Sequence, residues 1–340
     1  MIIVLKPHSP EQAIDAVIAQ VRHLGYDARV IRGVEQTVIA GIGDELSHRS
    51  LETLKGLEPV EDVLRIQKRY KLASREYHPD DTDVRVGPCT LGRNRFQVIA
   101  GPCSIESRDQ LLKAVKDLTA CGVRLIRAGA YKPRTSPYDF QGLGAGGLEL
   151  LAEVKSTFGV GIVTEVLGEP QVSEVAEVAD MLQIGARNCQ NYHLLSVVAG
   201  AGKPVLLKRG MASTIEEWIS AAEYLIVNGC PQVVLCERGI RTFETATRGT
   251  LDVGAIAVAK QETHLPVVVD PSHAAGKRTL VLPLALAGVA AGADGIIVEA
   301  HPDPVNALSD AAQQWPSSEF QTFMDAVRPL VNLTGKRFCV

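Results

Sequence analysis

Phe96-Gln97-Val98-Ile99-Ala100-Gly101-Pro102-Cys103-Ser104-Ile105-Glu106-Ser107 runs an apolar strand into a Gly-Pro turn and delivers a cysteine just past the strand's end. Ser104 to Ser107 then read as the start of a helix. Ser107 suits the N-cap, because its hydroxyl can accept from a free backbone N–H ahead of Asp109 and the apolar Leu111, Leu112 and Val115. Strand, loop and helix in this order form one unit of an α/β fold, and the sequence on either side decides which fold it is.

Downstream the same unit recurs. Eight apolar strand cores are predicted, at Gln97–Ala100, Arg124–Ala128, Gly161–Val166, Met181–Ile184, Pro204–Leu207, Gln232–Cys236, Pro266–Val269 and Gly295–Val298. Helical spacing follows them, for example over Gln110–Ala120, Gln171–Ala179, Ile215–Asn228 and Leu280–Ala291, with Gly or Pro at nearly every join. Eight such units in about 250 residues match a (β/α)8 TIM barrel. The competing doubly wound sheet lacks its GxGxxG turn here. The barrel is therefore expected over 91–340.

Upstream, residues 1–70 predict a small βαββαβ domain of the ferredoxin-like kind. Its parts are a strand at Ile2–Leu5, a helix over Pro10–Leu24, a strand pair Ala28–Ile31 and Thr37–Ile42 about a turn at Gly33, a second helix over Leu46–Leu54 and a strand at Val60–Ile66. Residues 71–90, with Pro79, Asp80, Asp81 and Asp83, read as a linker ending in a strand or hairpin.

Composition narrows the class. A formal net charge of −4 argues against nucleic acid as the main partner. Seven cysteines at irregular spacings, without a CxxC pair, point to a reducing cytoplasm and away from a disulfide framework. The start lacks the apolar core of a signal peptide, and the longest apolar stretch, Leu280 to Ala293, is too short to span a membrane.

In a barrel the chemistry sits after the strands, at their C-terminal ends. Those positions hold two constellations. Cys103, His273 and Glu299 come from three strand ends that adjoin once the barrel closes, and Asp310 follows in the loop after strand eight. A thiolate, an imidazole and two carboxylates suit a borderline divalent ion such as Mn, Fe, Co or Zn, and suit Mg or Ca poorly. Arg127, Lys132, Arg134, Arg187, Lys208, Arg209 and Arg238 are expected to ring the same mouth, which fits substrates carrying phosphate. Ion pairing with Glu165, Glu237 and Glu299 is the plainer alternative and accounts for part of them.

These residues resemble the class I 3-deoxy-D-arabino-heptulosonate 7-phosphate (DAHP) synthases of the Iβ type. The matching motifs are Ala100-Gly101-Pro102-Cys103-Ser104, Arg127-Ala128-Gly129-Ala130-Tyr131-Lys132-Pro133-Arg134-Thr135-Ser136, Ile184-Gly185-Ala186-Arg187, Leu207-Lys208-Arg209-Gly210, Cys236-Glu237-Arg238-Gly239 and Asp270-Pro271-Ser272-His273. The resemblance implies a metal-dependent condensation of phosphoenolpyruvate with erythrose 4-phosphate at the head of the shikimate pathway. It implies metal ligation by Cys103, His273, Glu299 and Asp310, with Mn foremost. Phosphoenolpyruvate would lie against Arg127, Lys132, Arg187, Lys208 and Arg238. Erythrose 4-phosphate would take Arg134, Thr135 and Ser136, with Asp303 near its hydroxyls. Lys132 is placed to protonate the new alkoxide, and Glu165 is one candidate for orienting the attacking water. The N-terminal domain would answer to tyrosine or phenylalanine, and the assembly would be a homotetramer.

Gly249, Gly254 and Asp139 depart from the family pattern. The sister octulosonate synthase, which uses arabinose 5-phosphate, shares the Gly-Pro-Cys turn and is the nearest alternative. A Schiff-base aldolase using Lys208 and an inert amino-acid-sensing barrel are the others.

Overall fold

A computed structural model describes residues 1–33, 35–43, 48–64, 69–134 and 136–338. The chain divides into two compact units, Met1–Arg69 and Tyr70–Val340.

The first unit holds β1 (Ile2–Leu5), α1 (Glu11–His23), β2 (Asp27–Arg32), β3 (Thr37–Ile42) and β4 (Val60–Leu64). Its sheet order is β2-β3-β1-β4 with every neighbour antiparallel, the ferredoxin-like arrangement. Ile14, Val17 and Val21 recur at helical spacing and pack with Ile3, Leu5 and Ile39 of the sheet. The Gly33 N–H closes the strand pair on the Gln36 carbonyl at 2.9 Å. In place of the second α-helix expected over Leu46–Leu54 there is a 3₁₀ turn, Leu51–Gly56, capped by Ser50, whose hydroxyl accepts from the Glu52 N–H. Leu46 and Ile66, the outer ends of two expected elements, lie outside the described residues.

The second unit is a closed barrel of eight parallel strands: β7 (Arg95–Gly101), β8 (Leu125–Arg127), β9 (Gly161–Val166), β10 (Met181–Ile184), β11 (Val205–Lys208), β12 (Val233–Glu237), β13 (Val267–Val269) and β14 (Gly295–His301). They are preceded by a hairpin, β5 (Val84–Val86) and β6 (Cys89–Leu91). Closure is the parallel pairing of β14 with β7, which sets Glu299 opposite Gly101. The outer helices are α2 (Arg108–Ala120), α3 (Ala145–Phe158), α4 (Val172–Val178), α5 (Tyr192–Ala199), α6 (Ile215–Val227), α7 (Val253–Glu262), α8 (Pro271–Ala275), α9 (Arg278–Ala290) and α10 (Phe320–Leu333). Ser107 caps α2 as expected, its hydroxyl accepting from the Gln110 N–H at 3.2 Å. The helix begins only at Arg108, because Ser104 still bridges in parallel to Gly129.

Two apolar layers result. One fills the space between strands and helices. The other lies inside the barrel, where Ile99, Leu125, Val163, Met181, Leu206, Val234, Cys236, Val268 and Ile297 meet Val84, Val86, Cys89 and Leu91 of the hairpin. The hairpin is thus a plug under the barrel floor. The chain just before it also packs on this unit: Tyr70 and Ala73 are buried, and the Glu223 carboxylate accepts from the Leu72 and Ala73 N–H groups. No helix among the described residues is long and apolar enough to cross a membrane.

Candidate active site

Alternation along the strands builds the site from its floor upward. Successive residues of a strand point to opposite faces, so the residue two places beyond each floor residue also faces inward. Leu125 is followed by Arg127, Val163 by Glu165, Met181 by Gln183, Leu206 by Lys208, Cys236 by Arg238, Val268 by Asp270 and Ile297 by Glu299. An apolar layer is capped by a polar one. Above it opens a cleft of about 210 Å³ whose lining includes Arg127, Lys132, Arg134, Glu165, Gln183, Arg187, Lys208, Arg238, Arg248, His273 and Asp310.

Cys103 reaches this layer because Gly101 ends β7 with φ +151°, and a Cβ there would stand 2.1 Å from the Arg127 carbonyl oxygen. The buried Cys103 Sγ lies 3.2 Å from Asp310 Oδ2 and donates to it. Ligand atoms of Cys103, Glu299 and Asp310 all lie within 4.8 Å of one another. His273 Nε2 stands 3.5 Å from Glu299 Oε1 and 3.9 Å from Asp310 Oδ2. Asp270 caps α8 by accepting from the His273 N–H at 3.0 Å, and its Oδ2 takes the ring Nδ1 at 2.8 Å. Since the carboxylate can only accept, Nδ1 carries the proton and the Nε2 lone pair faces the cluster.

Cations hold the acids. Arg127 Nη1 pairs with Glu299 Oε1 at 2.7 Å, Lys132 Nζ with Asp310 Oδ2 at 3.2 Å, and Lys208 Nζ with Asp270 Oδ2 at 2.6 Å. Burial alone would raise Glu299, but His273, Arg127 and Lys132 outweigh it and bring its pKa to about 2. Asp310 is likewise held well below the usual carboxylate range, with Lys132 and Arg248 overcoming burial. Burial, reinforced by Glu299, pushes the Cys103 thiol up to about 12. Burial also brings His273 down to about 4 against the pull of Asp270, so its ring is neutral. Lys132 stays protonated, because Cys103, Glu299 and Asp310 together outweigh its burial.

The donor set fits a divalent ion on chemical grounds. A thiol, an imidazole with its lone pair directed inward and two ionised carboxylates converge, and that mixture of soft and hard donors suits a borderline metal. Cys103, Glu299 and Asp310 form one group, and His273 Nε2 stands beside its two carboxylates.

Of the other expected residues, Arg127, Lys132, Arg134, Glu165, Arg187, Lys208 and Arg238 line the cleft. Arg134 is paired there with Asp139 at 3.0 Å. Ser136 and Asp303 do not line it: the Ser136 hydroxyl accepts from the Tyr138 N–H, and the exposed Asp303 carboxylate accepts from Asn306 Nδ2. Thr135 lies outside the described residues. Arg209, expected at the mouth, is a correction. It follows the inward Lys208 and so faces outward, pairing with Glu237 at 3.1 Å and Asp252 at 2.9 Å, 5.8 Å from the Trp218 ring centre. Glu237 faces outward for the same reason. Gln183, Met211 and Arg248 line the cleft without having been singled out. Gln183 was within reach of the alternation rule, while Arg248 lies in a loop where no period operates.

Fold and site together define a TIM-barrel enzyme with a cation-lined cleft over a thiol–imidazole–carboxylate cluster. A family described as the DAHP synthetase I family matches residues 80–333, and one described as the DAHP synthase ferredoxin-like domain matches residues 1–68. The chain belongs to the DAHP synthetase I family. It is 49% identical over 333 residues to the phospho-2-dehydro-3-deoxyheptonate aldolase of Thermotoga maritima, covering 98% of this chain and 97% of the relative. The crystal structure of a Thermotoga maritima protein of that name, also called DAHP synthase, superposes with a TM-score of 0.95 at 47% identity over 99% of both chains. A 2-dehydro-3-deoxyphosphooctonate aldolase of Acidithiobacillus ferrooxidans is 35% identical over 247 residues, 67% of this chain and 87% of that one.

Proposed function

We propose that the chain condenses phosphoenolpyruvate with erythrose 4-phosphate and water to give DAHP and phosphate, with a divalent metal held by Cys103, His273, Glu299 and Asp310. The observation that carries this is the convergence of those four side chains beside a cleft lined by Arg127, Lys132, Arg134, Arg187, Lys208 and Arg238. The metal, when bound, would supply Lewis-acid polarisation of the aldehyde carbonyl. Manganese is the ion proposed; iron, cobalt and zinc suit the same donors.

The chain's own residues do the rest. Arg127, Lys132, Arg187, Lys208 and Arg238 hold phosphoenolpyruvate, and Arg134, with Thr135 next to it in the sequence, takes the phosphate of the aldose. Fixed cations offset the repulsion between two polyanions and align them, which is positional and electrostatic catalysis. Carbon 3 of phosphoenolpyruvate attacks the aldehyde, water adds at carbon 2, and phosphate leaves with cleavage of its C–O bond. Lys132 Nζ holds a proton beside Asp310 and delivers it to the new alkoxide. Glu165, anchored by Gln183 Nε2 at 3.1 Å, orients the water.

The small unit is proposed to sense tyrosine or phenylalanine, the assembly to be a homotetramer, and the reaction to open the shikimate pathway in the cytoplasm. All of these rest on the family resemblance. The test is phosphoenolpyruvate consumption with erythrose 4-phosphate, before and after EDTA and with manganese restored. Loss and recovery of activity are expected. Consumption only with arabinose 5-phosphate would transfer the chain to the octulosonate reaction.

A further inference from the structure

We propose that Gln313 and Gln314 are the positioning residues of the metal cluster, two adjacent amides that between them set Cys103, Glu299 and Asp310. The assignment rests on the metal reading above.

Asp310 stands in a loop without regular structure and has φ +48°, a left-handed conformation uncommon for non-glycine residues, though Asp tolerates it better than most, and its neighbours hold it there. Those neighbours come from the loop that carries Cys103. Glu106 Oε1 accepts from the Leu308 N–H at 2.8 Å, and the Ser104 and Ser309 hydroxyls meet at 2.7 Å. Gln314, with no exposed surface, joins the two loops directly. Its Oε1 accepts from the Cys103 N–H at 3.1 Å and its Nε2 donates to the Ser309 carbonyl at 2.8 Å. One side chain thus holds the backbone of one ligand and the residue preceding another. Gln313, also buried, closes the set. Its Nε2 donates to Glu299 Oε2 at 2.6 Å and its Oε1 accepts from Arg248 Nη1 at 2.9 Å, while the same Arg248 Nη1 reaches Asp310 Oδ1 at 3.2 Å.

Both amides use donor and acceptor together, so neither an acid nor an apolar residue can replace them. Glutamate at 314 would keep the bond to Cys103 but set a carboxylate against the Ser309 carbonyl. Methionine fills the volume and supplies neither bond. Groups that orient metal ligands in this way typically govern affinity by about 10–100-fold.

The experiment is titration of the chelator-stripped full chain with Co²⁺, following thiolate-to-cobalt absorption, together with steady-state kinetics in Mn²⁺. Gln314→Met and Gln313→Met are each expected to weaken cobalt binding by about 10–100-fold and to alter the absorption. In manganese, kcat should fall with little change in KM for phosphoenolpyruvate. A folded Gln314→Met chain with unsubstituted cobalt affinity and absorption overturns the proposal. Should that chain fail to fold, Gln313→Met, which leaves the tie between the loops intact, decides it on the same readout. An unsubstituted chain that binds cobalt without a thiolate band overturns the metal reading, and the proposal with it.

Discussion

Asp270 Oδ2 takes Lys208 Nζ and His273 Nδ1 together, so one oxygen sets both a cleft cation and the tautomer of the neighbouring imidazole. Asp270→Asn leaves one accepting oxygen where two are used, so an NH2 donor must face either the His273 N–H or its ring Nδ1, and metal affinity should fall about 10–100-fold by calorimetry. Cys103→Ala removes a ligand outright. Turnover should be abolished at every manganese concentration, and substantial activity in excess manganese would refute the ligand assignment. Two arginines one strand apart separate stability from function. Arg209→Met leaves the buried Glu237 short of its partner and should cost about 3–5 kcal/mol in urea unfolding. Arg238 pairs with no carboxylate among the described residues, so Arg238→Met should spare stability and raise the KM for phosphoenolpyruvate. The sequence places both at strand ends, and strand ends alone do not say which way a side chain faces. Counting by twos from Leu206 and Cys236 would have sent Arg209 out and Arg238 in. For Asp303, Gln313 and Gln314 no such count exists. Their placement depends on an irregular loop shaped by contacts with residues some 200 positions earlier in the chain.

At the scale of elements, local chemistry was the most legible. Ser107 caps α2 where the sequence places it, and Thr214 opens α6 with a full capping box, its hydroxyl accepting from the Glu217 N–H while that carboxylate accepts from the Thr214 N–H. Thr214→Ala should lower stability by about 1 kcal/mol, seen as a reduced urea midpoint at unchanged slope. The 3₁₀ turn Leu51–Gly56 stands where the sequence predicts a second helix over Leu46–Leu54. Leu51 and Leu54 give the apolar spacing of either element, and six residues are too few for sequence to tell them apart. Gly101→Ala acts at an element's end with consequences for the site. The added Cβ must displace the Arg127 carbonyl, so activity should fall well before secondary structure changes by circular dichroism.

Across the whole molecule the eight strand cores were legible because each is a short apolar run between Gly or Pro joins, and a parallel strand buried on both faces has no other composition open to it. The barrel's closure owes nothing to the metal ligands, being a backbone ladder around two apolar layers. EDTA should therefore leave the circular dichroism spectrum unchanged. It should remove only the stability that binding adds, about 2.7 kcal/mol where free metal stands 100-fold above its Kd.

The hairpin beneath the floor has a consequence for traffic. With Val84, Val86, Cys89 and Leu91 packed beneath the floor, the cleft opens away from the hairpin, and the two proposed substrates, a water, a sugar phosphate and an inorganic phosphate would share that mouth. Whichever substrate lies deeper must enter before its companion, and a companion arriving early blocks the way. Initial-rate kinetics should accordingly show compulsory order, with the outer substrate inhibiting at high concentration.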